Sequence, residues 1–188
     1  MIDRKEEIMK IAIVLFSENG YDNTSTRELA KAAELSIAGI YYFFQNKEEI
    51  LFSILNSLLN KLLKSMRSAI NRDDTPQTNI TRIIDHVLKE VIENKMEIGL
   101  LLKETQRLSL DQLAIIRNKE KDVFNLIKNE ISRLNGEGRL KNLNLTATTF
   151  SLLAIISFSH NWYDPKGQLS TKEFVAETTE LFLNGALK

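Results

Sequence analysis

Apolar residues recur along most of the chain with the three-to-four-residue spacing of an α-helix. The first stripe holds Ile8, Ile11, Ala12, Leu15 and Phe16, and similar stripes follow between the few prolines and glycines. No segment shows the strict alternation of a half-buried strand or the turn chemistry of a hairpin. The pattern therefore predicts an all-α protein of about nine helices.

Two short helices are predicted near the N-terminus, separated by Glu34-Leu35-Ser36. Thr26 is expected to cap the first of them, and Ser36 the second. Helices this short are unstable alone, so both must pack on the first helix and on a long fourth helix, which Asn46 caps. This layout is typical of a helix-turn-helix motif, whose second helix enters the major groove of DNA.

The side chains of this motif suit contacts with double-stranded DNA. Small residues let the second short helix approach the groove, and hydroxyl and ammonium groups suit phosphate oxygens. The groove-facing set is small and apolar, which favours thymine methyl contacts and readout of DNA shape. The candidate DNA-binding residues are Thr26, Arg27, Ser36, Ile37, Ala38, Gly39, Tyr41, Tyr42 and Lys47.

Residues 6–55 resemble the TetR family of bacterial transcriptional regulators. Glu34 departs from the family pattern, which commonly has a glycine in the turn, and Phe43 stands where a histidine is frequent. The segments that carry the resemblance are Ala30–Ala33, Leu35-Ser36, Ile40–Phe44 and Lys47-Glu48.

This resemblance implies that two parts of the chain have different functions. Residues 1–46 form the helix-turn-helix DNA-binding domain. Residues 47–188 form a helical bundle for ligand binding and dimerisation, and the helix that starts at residue 47 links the two. The implied function is a ligand-responsive, dimeric repressor that a small, largely apolar effector releases from a palindromic operator.

Two features bear on the larger domain. The run 146–163 is apolar nearly all round, as in a helix buried between two partners, and supports a homodimer with recognition helices ~34–36 Å apart. The run 162–170, WYDPKGQLS, is similar to a signature of family members associated with acyl-CoA or fatty-acid metabolism. The candidate effector-binding residues are Leu62, Met66, Leu101, Phe124, Ile127 and Phe158. Arg107, Lys119 and Lys121 are alternative partners for an anionic head group.

Composition excludes several other classes of protein. The chain has 25 basic and 25 acidic residues and no cysteine, which excludes a polycation, disulfide scaffolds and thiolate chemistry. It shows no catalytic motif and no metal-ligand spacing, so we expect neither an enzyme nor a cofactor or metal site. Without an export signal or an apolar run of about 20 residues, a cytoplasmic protein without a membrane span is expected.

One observation favours an alternative. Over residues 1–52, six basic residues face nine acidic ones, whereas DNA-binding domains are normally basic. The chain is alternatively a helical, dimeric interaction protein with a degenerate DNA-binding end. An activator of the same fold is a further alternative.

Overall fold

The computed structural model describes residues 4–186, and helices account for most of them. Over this range the all-α prediction is confirmed, with nine α-helices and one 3₁₀ turn, Thr105–Arg107. The helices are α1 Arg4–Asn19, α2 Thr26–Ala32, α3 Ile37–Phe43, α4 Lys47–Ala69, α5 Pro76–Glu93, α6 Lys95–Glu104, α7 Leu110–Gly136, α8 Leu145–Trp162 and α9 Thr171–Ala186. None of the helices in this range is long and apolar enough to cross a lipid bilayer.

The chain divides into two compact units. Unit 1 holds residues 1–59 and 96–117, and unit 2 holds residues 60–95 and 118–188. These units differ from the predicted boundary between residues 46 and 47, because the first half of α4 and most of α6 group with the N-terminal helices. The division by function into 1–46 and 47–188 stays a proposal.

Helices α1–α3, Arg4–Phe43, form a three-helix head within unit 1. The predicted stripe on α1 supplies its core, with Ile8, Ala12 and Phe16 buried, and Leu29 and Ile40 bury the inner faces of α2 and α3. Burial of these faces against one another stabilises helices of seven residues that would not form in isolation.

Side-chain caps fix the starts of the short helices. Ser36 caps α3 as predicted, since its Oγ accepts the Gly39 N–H at 3.0 Å. The predicted cap at Thr26 is wrong: Ser25 caps α2, in a capping box with Glu28. Ser25 has the extended backbone that a cap requires, while Thr26 is already the first helical residue.

In unit 2, a buried polar contact holds the turn between α4 and α5. The Asn79 side chain is fully buried and donates to the Asn71 carbonyl at 2.8 Å and to the Glu130 carboxylate at 3.1 Å. Asn71 N–H donates back to Asn79 Oδ1, and Arg133 donates to Glu130 at 2.8 Å. The turn is thereby fixed against α7 by side chains whose polar groups are satisfied.

The run 162–170 forms the corner between α8 and α9. The Tyr163 hydroxyl donates to the Leu169 carbonyl at 3.1 Å, and its ring stacks on Phe174 with 4.4 Å between centroids. A Cβ at Gly167 would lie 3.1 Å from the Asp164 carbonyl oxygen, so a larger residue would require this turn to shift by a few tenths of an ångström. This run, which the sequence links to an effector class, has a structural role in joining two helices.

Candidate nucleic-acid interface

The turn between α2 and α3 is tight and strained at one residue. Glu34 has φ +53°, the left-handed region that favours glycine, and its neighbour Leu35 donates its N–H to the Ala30 carbonyl. A glycine, which the family pattern leads us to expect in this turn, would adopt this backbone conformation without strain. The turn directs the chain from α2 into α3 within four residues, 33–36.

Helix α3 presents large side chains to solvent on one face. Tyr42 is 83% exposed, Tyr41 is 52% exposed and Ile37 is 40% exposed, whereas Ile40 is buried. An 83% exposed tyrosine contributes little to the core, and its hydroxyl is available to an outside partner. Three of the side chains predicted to contact DNA, those of Ile37, Tyr41 and Tyr42, are therefore exposed on α3.

The start of α3 is shaped for close approach. Ala38 is exposed and adds only a methyl group. A Cβ on Gly39 would lie 3.3 Å from Leu35 Cβ, so a larger residue here would require Leu35 to shift by a few tenths of an ångström. Gly39 is therefore a packing residue as well as a small residue near the groove-facing surface.

Lys47 joins the head to the first turn of α4. Its ammonium donates to the backbone carbonyls of Tyr21 at 2.7 Å and Thr24 at 3.0 Å, and lies 4.1 Å from the centroid of the Tyr21 ring. Burial lowers the pKa of the Lys47 ammonium below its ordinary value. Because an ammonium has three N–H donors, one remains for an outside acceptor such as a phosphate.

The phenol of Tyr21 lies in the same cluster. Burial, together with the nearby carboxylates of Glu48 and Asp22, raises the pKa of Tyr21 to about 12. The ring also meets Phe16 edge-on, with 5.1 Å between centroids. Lys47 is thus held between a neutral aromatic ring and two carbonyl oxygens.

The other predicted contacts occupy the front of α2. Arg27 is exposed and Thr26 is half-buried. Both stand in the first turn of α2, directly after the Ser25 cap. Arg27 is therefore free to extend toward a phosphate, while the backbone of Thr26 is fixed by the start of the helix.

The excess of acidic residues near the N-terminus lies off the exposed face of α3. Helix α3 carries no charged residue. Several carboxylates are engaged in contacts within unit 1, either with a basic side chain or with a backbone N–H at a helix start. These acids are Glu7, Asp22, Glu28, Glu48 and Glu49.

Sequence reasoning missed the contacts that the segment 104–109 makes with the head. Arg107 pairs with Asp22, which lies between α1 and α2. Ser109 N–H donates to the Glu48 carboxylate at 2.8 Å, in the first turn of α4. The partners are 85 and 61 residues apart along the chain, so no local pattern could have revealed them. Arg107 is occupied by Asp22 and Glu104 rather than presented to an effector.

The predicted effector-binding residues do not all share one environment. In unit 2, Leu62, Met66 and Ile127 are buried, and the half-buried Phe124 packs on Phe150 with 4.7 Å between centroids.

Two of the predicted effector-binding residues do not lie with the buried residues of unit 2. Leu101 is buried in unit 1, and Phe158 is 63% exposed on α8. The chain alone does not enclose Phe158, which belongs instead to an exposed apolar surface. We name this surface the α8 face; its members are Phe150, Ile155, Phe158 and Trp162.

Family models match both parts of the chain. The model described as bacterial regulatory proteins, tetR family, matches residues 8–54, and the model described as tetracyclin repressor-like, C-terminal domain, matches residues 73–186. The chain belongs to the TetR family. TetR proteins are transcriptional regulators that bind DNA, typically as dimers with small-molecule effectors, and they are not enzymes.

Relatives of this TetR protein include both uncharacterised and solved regulators. YuxN of Bacillus subtilis, an uncharacterised HTH-type transcriptional regulator, is 30% identical over 104 residues, which are 55% of this chain and 36% of YuxN. The chain therefore aligns with about a third of that protein's length. Over this alignment the chain and YuxN are similar in sequence.

Two solved structures share the fold. The ketosteroid transcriptional regulator KstR2 of Mycobacterium tuberculosis superposes with a TM-score of 0.91 at 20% identity, covering 100% of this chain and 97% of that one. AibR, solved in complex with isovaleryl coenzyme A and operator DNA, gives 0.87 at 24% identity over 95% and 97%. Nearly the whole chain therefore has the TetR architecture.

Proposed function

We propose that this TetR protein is a dimeric, cytoplasmic repressor that binds a palindromic operator through α3. The observation that carries the proposal is the outer face of α3, where Tyr42 is 83% exposed beside Tyr41 and Ile37. Two hydroxyls and one short apolar side chain suit the phosphates and thymine methyl groups that line a major groove. Arg27 in the first turn of α2 and Lys47 in the first turn of α4 add positive charge within the same unit.

The α8 face supports the dimer. Four large apolar side chains at helical spacing, Phe150, Ile155, Phe158 and Trp162, are exposed on one protomer. Contiguous apolar surface of this kind marks an interaction site, and a second copy of the same helix is the partner that a twofold dimer supplies. A twofold dimer carries two copies of α3, one for each half-site of a palindromic operator.

For the effector, we propose a largely apolar molecule of the acyl-CoA or fatty-acid class. Buried apolar side chains of unit 2, Leu62, Met66 and Ile127, offer a lining that suits an acyl chain. The AibR structure, which contains isovaleryl coenzyme A, gives a precedent on the same fold. Lys119, whose pKa is lowered by burial and which lies beside Asn60, is a candidate for the anionic group.

A mobility-shift titration with promoter DNA of the protein's own gene tests this proposal. We expect a specific shift at low salt that weakens steeply as salt rises, because each phosphate contact releases counterions. Acyl-CoA thioesters and free fatty acids of several chain lengths should reverse the shift. No shift in any effector state would favour an interaction protein, and a promoter-reporter assay separates a repressor from an activator.

A further inference from the structure

Three of the seven glycines follow an asparagine, and each of these Asn-Gly pairs lies at the C-terminal end of a helix. The asparagine is exposed in all three pairs. An exposed asparagine followed by glycine is chemically reactive, because no side chain on the next residue shields its backbone nitrogen. We name the pairs by their helices: the α1 pair is Asn19-Gly20, the α7 pair is Asn135-Gly136 and the α9 pair is Asn184-Gly185.

The reaction open to such a pair is a cyclisation within the chain. The glycine backbone nitrogen attacks the asparagine Cγ, a new N–C bond forms, and the side-chain amide leaves as ammonia with the proton of the glycine N–H. Water then opens the succinimide ring at one of its two carbonyls, which gives aspartate or isoaspartate. Because the two reacting atoms have to meet, the helical turn around the asparagine has to open first.

The turn of the α1 pair is held weakly. Asn19 is the last residue of α1, and Gly20 has already left the helix with φ +86°. The Asn19 carbonyl accepts an exposed side-chain hydrogen bond, from Asn23 Nδ2 at 3.0 Å. Helix ends that are held by exposed contacts open at little cost in free energy. A local opening at the end of α1 therefore brings the Gly20 nitrogen to the Asn19 side chain.

The turns of the other two pairs are held by more hydrogen bonds. After the α7 pair, Arg139 N–H donates to the Leu134 carbonyl at 3.1 Å, and Gly138 N–H donates to the Asn135 carbonyl at 3.0 Å. In the α9 pair, the Lys141 ammonium donates to both backbone carbonyls at 3.1 Å. Opening either turn breaks these bonds, so the α1 pair is the one that the fold leaves most reactive.

We propose that Asn19 is a site of spontaneous deamidation in the folded protein. The new carboxylate stands at the C-terminal end of α1, where the helix dipole disfavours negative charge. Isoaspartate also inserts the Cβ of residue 19 into the backbone directly before Gly20, whose carbonyl accepts the hydroxyl of the buried Thr24 at 2.9 Å. The modification therefore lowers the stability of the three-helix head. It requires neither DNA nor an effector, so it is independent of the function proposed above.

Peptide mass spectrometry of the full chain, sampled during incubation at mildly alkaline pH, tests this site. The mass shift of the amide-to-carboxyl exchange identifies each modified asparagine, and isoaspartyl methyltransferase labels the isoaspartate. We expect Asn19 to react roughly tenfold faster than the asparagines of the α7 and α9 pairs, because their turns lose more hydrogen bonds on opening. In a chain unfolded by guanidinium, the three pairs should react at similar rates.

Variants connect the modification to stability. Asn19→Gln keeps an amide, but its longer side chain cyclises far more slowly. Aged wild type should melt at a lower temperature than fresh wild type, whereas aged and fresh Asn19→Gln should melt alike. Asn135→Gln is the matched control and should lose stability on ageing as the wild type does.

Three results would each overturn the assignment of Asn19. The first is an intact Asn19 in the folded chain over the time in which it reacts in guanidinium. The second is the same ratio of rates among the three pairs in the folded and the unfolded chain. The third is an equal loss of melting temperature on ageing in the wild type and in Asn19→Gln.

Discussion

Two surfaces of this protein expose large side chains, but the tips of those side chains differ. On α3, Tyr41 and Tyr42 end in hydroxyl groups, and the same unit carries Arg27 and Lys47. On α8, Phe150 and Phe158 end in hydrocarbon. Hydroxyl and basic groups suit a phosphate backbone. Exposed hydrocarbon, by contrast, lowers the free energy of the protein when another apolar surface buries it away from water. The difference supports the proposal that α3 contacts DNA and that α8 contacts a second copy of the chain.

The three-helix head and the bundle are also built differently. In the head, short helices depend on polar contacts, such as the Lys47 ammonium on two backbone carbonyls and the capping box at Ser25. In unit 2, the eighteen residues of α5 bury a continuous apolar face. Single polar substitutions should therefore matter more to the head than to the bundle. The buried side chains of that α5 face include Ile80, Ile83, Ile84, Val87, Leu88 and Val91.

The largest effect is expected from a charge on the α8 face. Phe158→Glu places two like, unpaired charges in the proposed dimer interface, which should cost roughly 4 kcal/mol and raise the dimer dissociation constant about a thousandfold. Sedimentation equilibrium measures this change. Leu110→Glu is the matched control, because Leu110 is 85% exposed on α7. Equal dimerisation of wild type and Phe158→Glu would remove α8 from the interface.

The next largest effect, on operator binding, is expected from removal of the Tyr42 hydroxyl on α3. Tyr42→Phe keeps the ring and should weaken operator binding about tenfold to a hundredfold, since a hydrogen bond to a charged group contributes about 1.5–3 kcal/mol. Fluorescence anisotropy with operator DNA gives the affinity. Tyr163→Phe removes a hydroxyl that donates within the α8–α9 corner, so it should lower stability and leave DNA affinity unchanged. Wild-type affinity in Tyr42→Phe would show that the hydroxyl does not contact DNA.

A smaller effect on stability is expected at Lys47. Lys47→Met leaves the carbonyls of Tyr21 and Thr24 without their donor, which should lower the free energy of unfolding by about 1–3 kcal/mol. Urea denaturation gives the value. Lys31→Met, at an exposed lysine of α2, should change it by less than about 0.5 kcal/mol. Equal effects at both lysines would argue against Lys47 as a contact that joins the head to α4.

Glu34→Gly should stabilise the protein by about 1 kcal/mol. The left-handed backbone costs a residue with a side chain about 1–2 kcal/mol, part of which the greater chain entropy of glycine offsets. Thermal unfolding shows whether Glu34→Gly raises or lowers the stability of the protein. The same change at Glu18, inside the last turn of α1, should destabilise the protein instead. A loss of stability in Glu34→Gly would show that the turn is not strained.

The smallest effect is the pH dependence of the free energy of unfolding that two capping boxes contribute. One box, Ser25 with Glu28, lies in the head, and the other, Ser170 with Glu173, lies at the start of α9. Hydrogen bonds from the backbone and side chain of Ser25 lower the pKa of Glu28 below 4.5, and those of the side chain and backbone of Ser170 lower the pKa of Glu173. The unfolded chain therefore binds more protons in this range, so stability is present above pH 4.5 and is lost as pH falls through the lowered pKa.

Denaturation curves recorded at several acidic pH values measure this loss. Glu28→Gln and Glu173→Gln should each reduce the dependence of stability on pH below 4.5, because glutamine does not titrate. If both variants keep the wild-type dependence, the capping carboxylates contribute nothing to it.

The helices were predictable because they depend on local patterns. The apolar stripe of α1 and the caps at Ser36 and Asn46 involve residues within a few positions of each other, and the structure confirms them. The error at the start of α2 was a choice between neighbouring cap residues, Ser25 and Thr26, which have similar hydroxyls. Spacing alone does not say which of two adjacent hydroxyl residues has extended backbone.

The features of the fold and of the candidate site that the sequence did not predict depend on contacts between distant parts of the chain. The carbonyl partners of Lys47 lie 23 and 26 residues away, and Arg107 meets Asp22 across 85 residues. Phe158 was predicted to bind the effector from its apolar type, but its exposure depends on which side of α8 the neighbouring helices cover. Periodicity predicts an apolar face without identifying its partner.

Selection from a library of random double-stranded DNA tests the central claim most directly. Wild-type protein should enrich a palindrome whose half-sites lie about one helical turn or a multiple of it apart, and Tyr42→Ala should lose that enrichment while remaining a folded dimer. Enrichment that survives in Tyr42→Ala, or no enrichment by the wild type at any salt concentration, would contradict a DNA contact by α3.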